Sequence, residues 1–258
     1  MSRQRVLELA SETARTRPAN LYYDAGVNDL NERWGTSPCD LPIDETIRRI
    51  ETCDAWIILK YAEHDPAYAK LMESCMRDVL QVGGRELEKH MRRKEVIIFI
   101  TSPRRLTTYH FDSECNFLLQ IQGKKEINIF RSDDREVLPE EEVERFWTAD
   151  SNAGVYKPHL QDHAEVITLE PGKGVHIPIN APHWLRNGDN ISVSVSINYH
   201  PWESERGHIY CTNYYLRKYL RINPTPPFQS PFLDTIKRPI GAAIARVRKS
   251  LHGPVGNR

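Results

Sequence analysis

A chain of 258 residues that balances 35 basic against 35 acidic side chains has no overall electrostatic reason to bind nucleic acid or a membrane surface. Its length suits one domain with a sizeable core, and a β-barrel with helical additions reaches this size as a single unit. Five cysteines (Cys39, Cys53, Cys75, Cys115 and Cys211) contain no C-x-x-C pair and are odd in number, which argues against a disulfide framework and for a reducing compartment.

The first eighteen residues hold no continuous apolar run of signal-peptide type. The longest strongly apolar run, residues 96–100, is far too short to span a bilayer, so a cytoplasmic protein without a transmembrane segment is expected. Val6, Leu7 and Leu9 predict a short helix ended by Pro18. Tyr22, Tyr23 and Trp34 follow among turn formers, and such aromatics cover a core edge more often than they line a substrate entrance. Asp44 is placed to cap a helix with Ile47 and Ile50 on one side, and residues 55–59 read as a buried strand. Asp65 and Pro66 take the N-cap and N1 positions of a second helix, whose Tyr68, Leu71, Met72, Cys75, Met76 and Val79 recur at three-to-four spacing as far as Gly83-Gly84. That stripe is expected to pack on the outside of a barrel. Residues 90–94, HMRRK, read as a solvated helix end ahead of the strand EVIIFITSP rather than as a nucleic-acid patch.

Residues 107–130 carry the chemistry. His110 and Asp112, two apart at the start of a predicted β-hairpin, share one face and can hold adjacent positions on a divalent metal. A third ligand must come from elsewhere, and His183 is the best candidate. About one His-x-acid triplet is expected by chance from this composition, and the chain has two. The second, His163-Ala164-Glu165, would need a third ligand only a short hairpin away, so the surroundings decide for His110. Among those surroundings is Lys125, which shares strand parity with Ile127 and Ile129 and should leave on the apolar face. A buried ammonium is costly unless it meets an anion, so an inward lysine implies a carboxylate-bearing ligand. Lys124, of opposite parity, reads as solvated.

Beyond this stretch, DDREVLPEEEVERFW reads as an acidic surface helix starting near Pro139, with Val143 and Phe146 turned inward. His159 and His163 precede the strand AEVITLEPG, His176 reads as a packed or pocket-rim residue, and His200 and His208 fall beyond the barrel strands. In residues 191–198, Ile191, Val193, Val195 and Ile197 alternate with Ser192, Ser194, Ser196 and Asn198. A row of serines ending in an amide suits a cavity wall better than bulk water. After Pro201 the pattern turns helical, and a last segment from Asp234 to about Leu251 sets Ile236, Ile240, Ile244, Val247 and Leu251 at helical spacing. Six basic residues, the last of them Arg258, and no acid follow Asp234. This basic amphipathic helix, with Pro239 near its start, is read as one half of a homodimer contact over residues 204–251; a membrane-surface or nucleic-acid contact is the competing reading.

Gly172, Pro178, Asn180, His183 and Asn187 have the spacing G-x5-P-x-G-x2-H-x3-N, which resembles the second cupin motif with Asn180 in the usual glycine place. Asn is the non-glycine residue that best tolerates the positive φ of such a turn. Together with T-x-x-H-x-D and N-F-x-x-Q-I-x-G-x-K, this resembles the JmjC or cupin-like family of Fe(II)/2-oxoglutarate oxygenases over about residues 95 to 200. Within that family the chain is most similar to the protein hydroxylases, which carry His-x-Asp where many histone demethylases carry His-x-Glu.

The resemblance implies a mainly β fold, a double-stranded β-helix (jelly-roll or cupin) barrel, in residues 1–203, with surrounding N- and C-terminal helices and a C-terminal helical extension at 204–258. It implies Fe(II) held by His110, Asp112 and His183, with 2-oxoglutarate and O2 as cosubstrates. Lys125 would pair with the distal carboxylate, Thr107 would hydrogen-bond it, and Asn116 and Asn198 would line the pocket. The implied reaction hydroxylates a C–H bond of a protein or peptide side chain, or of a small molecule, and releases succinate and CO2. N-methyl demethylation and a non-catalytic cupin-fold binding or regulatory protein are the alternatives.

Overall fold

Helix α1 (Arg3–Thr16) opens the computed structural model, which describes residues 3–24, 26, 29–33, 40–201 and 206–252. Cys39, Trp34, Arg258 and the proposed boundary at 203/204 lie outside the described residues. Strand β1 (Leu21–Asp24) follows, then α2 (Ile43–Arg48). Pro42 is the N-cap of α2, without a side-chain cap bond; Asp44, expected to cap it, sits inside the first turn, where its charge still suits the positive helix end. Ile47 and Ile50 are buried as expected. After β2 (Trp56–Leu59), α3 (Pro66–His90) starts as predicted, with the Asp65 carboxylate accepting the Ala67 N–H at 2.9 Å. Gly84, at φ 71°, breaks the helical geometry inside α3. β3 (Met91–Thr101) begins four residues earlier than the expected strand at Glu95, because Met91 is already buried and paired with Pro201; the side chains of Arg92 and Arg93 lie outside the described residues.

β4 (Leu106–His110), β5 (Cys115–Gln122) and β6 (Lys125–Ile129) do not form the expected hairpin. They belong to alternate sheets: β5 crosses to the sheet opposite β4, and β6 crosses back. Gly123 makes the second crossing, with φ +77° and a Cβ position only 2.4 Å from the Ile191 carbonyl oxygen, so no side chain fits there. β7 (Glu165–Leu169), β8 (Gly174–Ile177), β9 (His183–Asn187) and β10 (Ser192–Pro201) complete two antiparallel sheets. The first has the order β1-β2-β3-β10-β5-β8 and the second β4-β9-β6-β7. Among the described residues no strand pairing joins the two into a closed barrel. The architecture is mainly β and jelly-roll-like, with flanking helices.

Strand parity sorts the core. Val193, Val195 and Ile197 of β10 pack with Val96, Ile98 and Ile100 of β3 on the outer face of the six-stranded sheet, against the apolar stripes of α1 to α3. Each such fully buried side chain contributes about 1.5–3 kcal/mol. The opposite parity faces the second sheet, where Leu118, Ile127, Leu169, Ile177 and Leu185 form a separate cluster. The cavity lies between the sheets, lined by polar residues where β5 begins and reaching as far as Lys125 at the start of β6.

Helix α4 (Glu140–Thr148) is less of a surface element than its acids suggest. Glu142 and Glu144 are buried and paired: Lys157 Nζ lies 3.2 Å from Glu142, and Arg217 donates to both Glu144 oxygens at 2.9 and 3.1 Å. Arg217 belongs to α5 (Arg206–Leu220), which this ion pair ties to α4. The last helix, α6 (Pro231–His252), starts before Asp234, whose buried carboxylate instead accepts the Phe228 N–H at 2.7 Å. α6 lies so close on α5 that a Cβ on Gly241 would fall 1.8 Å from the His208 carbonyl oxygen. No helix among the described residues is long and apolar enough to cross a membrane.

Candidate active site

His110 ends β4 and His183 begins β9, and the two are direct cross-strand partners with ring centroids 4.2 Å apart. Each ring is oriented by its own backbone. His110 Nδ1 donates to the Thr108 carbonyl at 2.7 Å, and His183 Nδ1 donates to the Ala181 carbonyl at 3.0 Å. A carbonyl only accepts, so each Nδ1 carries the proton and each Nε2 is left with its lone pair free, as a metal ligand requires.

Asp112 lies past the end of β4, not on it. Phe111, buried among Leu138, Val143 and Tyr210, anchors this stretch of the chain. The Asn180 N–H holds the Asp112 carbonyl at 3.0 Å, so the carboxylate is turned toward the rings, with Oδ2 3.7 Å from His183 Nε2. His110, Asp112 and His183 each offer a ligand atom, and all three atoms lie within 4.8 Å of one another. Among the described residues this is the one such group of His, Cys, Asp and Glu. Two imidazole nitrogens and one carboxylate suit a divalent iron with open positions. Burial, and then the neighbouring His110, push His183 down to about 4 against the pull of Asp112, which keeps the ring neutral and able to ligate.

The rival triplet is taken apart. His163 Nδ1 bonds Asp134 at 2.7 Å on the surface, outside the cluster. His176 packs on Phe117 with centroids 4.8 Å apart. His200, expected beyond the strands, lies in β10 and lines the cavity.

The cavity beside the cluster has a volume of about 300 Å3 and is also lined by Thr107, Lys125, Asn116 and Asn198. Lys125 is only 5% exposed and makes no hydrogen bond or ion pair among the described residues. Burial pushes its ammonium down to about 7. Lys124, by contrast, is exposed beside Glu170 at 3.6 Å. Thr107 and His110, three residues apart, both reach the cavity because the β4–β9 register shifts between them. Asn116 and Asn198 are cross-strand partners; the Asn198 amide oxygen accepts the Ser196 hydroxyl at 2.6 Å, while Asn116 Oδ1 is buried without a partner among the described residues. Ser192 and Ser194 do not reach the cavity, being bonded to Gln120 at 2.9 and 2.7 Å.

Several lining residues escape a reading of the chain alone. Tyr22 lines the cavity and donates to Asp24 at 3.2 Å, whereas Tyr23 packs on the core, so the two adjacent tyrosines divide the two roles. Glu95 shares the inward parity of Ile97 and Phe99, and Glu114 that of Asn116 and Leu118. Both acids could have been found as charges on an inward-facing row. Burial and then the neighbouring Asp112 raise Glu114 to about 7. Asn180 adopts φ 58°, as its place in the motif requires, and its side-chain oxygen accepts the Trp147 Nε1–H at 3.0 Å. A glycine there could not make that bond.

No family model matches the chain. A zebrafish (Danio rerio) protein, HSPB1-associated protein 1 homolog, is 32% identical over 103 residues, which cover 35% of this chain and 22% of that protein. The match thus spans about a fifth of the curated relative's length. Among solved structures, YcfD, a ribosomal oxygenase from Escherichia coli in complex with cobalt and 2-oxoglutarate, aligns with TM-score 0.48 and 16% identity over 95% of this chain and 58% of that one. A second E. coli YcfD structure aligns with TM-score 0.41 and 14% identity over 77% and 50% of the two chains.

Proposed function

We propose that this chain is an Fe(II)- and 2-oxoglutarate-dependent oxygenase that hydroxylates a C–H bond, with a protein or peptide side chain as the first choice of substrate. The observation that carries the reading is the pairing of a two-histidine, one-carboxylate cluster with a buried lysine, unpaired among the described residues, that opens into the same cavity.

The register shows how the two parts are spaced. In β6, Ile129 stands opposite His183 and Lys125 opposite Asn187, so the lysine lies four residues along the strand from the histidine level. The cavity therefore has a metal-ligand end and a cationic end, and a dicarboxylate that chelates at the first can be neutralised at the second. When bound, iron and 2-oxoglutarate supply the oxidising power to functionalise an unactivated C–H bond, with succinate and CO2 as by-products.

The protein's own part is placement. His110, Asp112 and His183 would hold the iron, and a set of only three protein ligands would leave it able to take up cosubstrate and dioxygen. Lys125 and Thr107 would orient the distal carboxylate, and Asn116 and Asn198 would wall the space beside them. Trp56, Ile58, Phe99, Leu118 and Leu185 supply apolar lining that limits the access of water to the reacting centre. The reading is tested by following 2-oxoglutarate and succinate by NMR in aerobic mixtures with Fe(II). Succinate should form with the native chain and not with Asp112→Ala; equal rates in the two would refute it.

A further inference from the structure

The chain is neutral as a whole, but its charge is not evenly spread. Residues 206–258 hold ten lysines and arginines against one acid, Asp234, and an excess of acids in the first 205 residues restores the balance. Segregation of this kind points to a polyanionic partner for the basic part. Some of the cations are satisfied within the fold. Arg217 pairs with Glu141 and Glu144 at 2.9 Å, Lys237 donates to the Thr225 carbonyl at 2.7 Å, and the Arg206 guanidinium lies 4.1 Å from the Phe228 ring centroid. Lys218, Arg221, Arg246 and Arg248 have no acidic partner among the described residues, and the first three are exposed. The C-terminal end of a helix carries about half a negative charge, so four cations exceed what the ends of α5 and α6 can balance.

The end of α5 adds a second, independent feature. Tyr215 and Tyr219 stack with centroids 5.8 Å apart and planes 7° from parallel, and Tyr214 meets Tyr215 edge-on at 5.2 Å. Lys218 Nζ lies 5.4 Å from the Tyr214 centroid and 5.5 Å from that of Tyr219, and Arg248 of α6 is close enough for its charge to act on the Tyr215 hydroxyl. Tyr219 is 67% exposed, so its ring has surface left for a further stacking partner. None of these residues lines the cavity between the sheets.

We propose that the end of α5, with Arg248 beside it, is a binding surface for single-stranded RNA. An unpaired base stacks on Tyr219, and Lys218, Arg221 and Arg248 meet the flanking phosphates. A duplex keeps its base faces covered, and an anionic membrane engages the cations but gives the rings nothing to stack on. RNA is favoured over DNA because the ribose 2′-hydroxyl both donates and accepts, as the phenol hydroxyls do. The surface lies on elements other than those that carry His110, Asp112 and His183, so the proposal does not depend on the oxygenase reading.

The test measures fluorescence anisotropy of a labelled, mixed-sequence RNA dodecamer with the full chain, without iron or cosubstrate. Three phosphate contacts predict a loss of about twentyfold in affinity between about 50 and 200 mM salt, reduced to about threefold in Lys218→Gln/Arg221→Gln. Tyr219→Ala should bind about tenfold more weakly with the same salt dependence, and Tyr219→Phe, which keeps the ring, should recover most of that loss. The DNA dodecamer and the RNA duplex should both bind more weakly than the single-stranded RNA. Vesicles of equal parts phosphatidylserine and phosphatidylcholine should not displace it. The proposal is overturned by the absence of RNA binding, by DNA or duplex binding as tight as that of the single strand, by displacement of the RNA by vesicles, or by a Tyr219→Ala variant as tight as the native chain.

Discussion

His110 and His183 face each other across β4 and β9, and each donates its Nδ1–H to the carbonyl two residues before it. Two strands thus use the same local device to present two Nε2 lone pairs to one point. His110→Ala and Asp112→Ala should each abolish tight binding of Co(II), a spectroscopic stand-in for iron, because two of the three ligands do not hold the metal in place. His163→Ala should leave it intact. Cobalt spectra that depend on His163 and not on His110 would put the site at the wrong triplet.

Lys125 gives a pH dependence of definite sign. Burial holds its pKa at about 7, against about 10.4 in an unfolded chain. Between those values the unfolded chain binds the extra proton, so stability of the ligand-free protein should rise with pH over that window. Dicarboxylate binding needs the ammonium, so apparent 2-oxoglutarate affinity should fall as pH rises above about 7. Lys125→Arg should flatten the profile, and Lys125→Ala should weaken cosubstrate binding by about 2–5 kcal/mol while iron still binds. Lys124→Ala, on the exposed side, is the control. Equal losses at both positions would sink the assignment.

Asn180 couples the turn before His183 to α4. Asn180→Gly keeps the positive φ but gives up the Trp147 bond, so thermal unfolding should show a loss of about 1 kcal/mol. Asn180→Ala should lose more, because alanine adds strain at φ 58°. If glycine matches the native residue in stability, the Trp147 contact contributes nothing.

Much of this was legible, and the misses share a cause. Parity along one strand is local information, so Lys125, the outward row Val193, Val195 and Ile197, and the positive φ of Asn180 could all be read from the chain. Which strands pair is not local. Residues 107–130 look like a hairpin because hydrophobic strands succeed one another with a glycine turn between, yet the pieces lie in alternate sheets. For the same reason Asp112 was placed on a strand with His110, when a loop anchored by Phe111 brings it to the rings. The acids of α4 suggest a surface helix because the partners that bury Glu142 and Glu144, Lys157 and Arg217, are distant in sequence.

Helix α6 packs on α5 through Lys237 and Gly241 and leaves Phe232, Ile236, Ile240 and Val247 exposed in a row along its other side. The expected occupant is the same face of a second copy, since apolar side chains in such a row are stabilised only when covered. Light scattering should give a dimer for the full chain and a monomer for Ile236→Asp/Ile240→Asp. A native chain that is monomeric at high micromolar concentration would end the idea.

If one cavity holds iron through His110, Asp112 and His183 while Lys125 receives the far carboxylate of 2-oxoglutarate, one experiment reads both ends: anaerobic titration of the full chain with Fe(II) and then 2-oxoglutarate, followed in the visible range. A weak charge-transfer band should grow to saturation at one equivalent of each, be absent from Asp112→Ala, and require far more 2-oxoglutarate in Lys125→Ala. Iron binding with no band at any 2-oxoglutarate concentration, or a band unchanged in Lys125→Ala, would rule out this arrangement of the site.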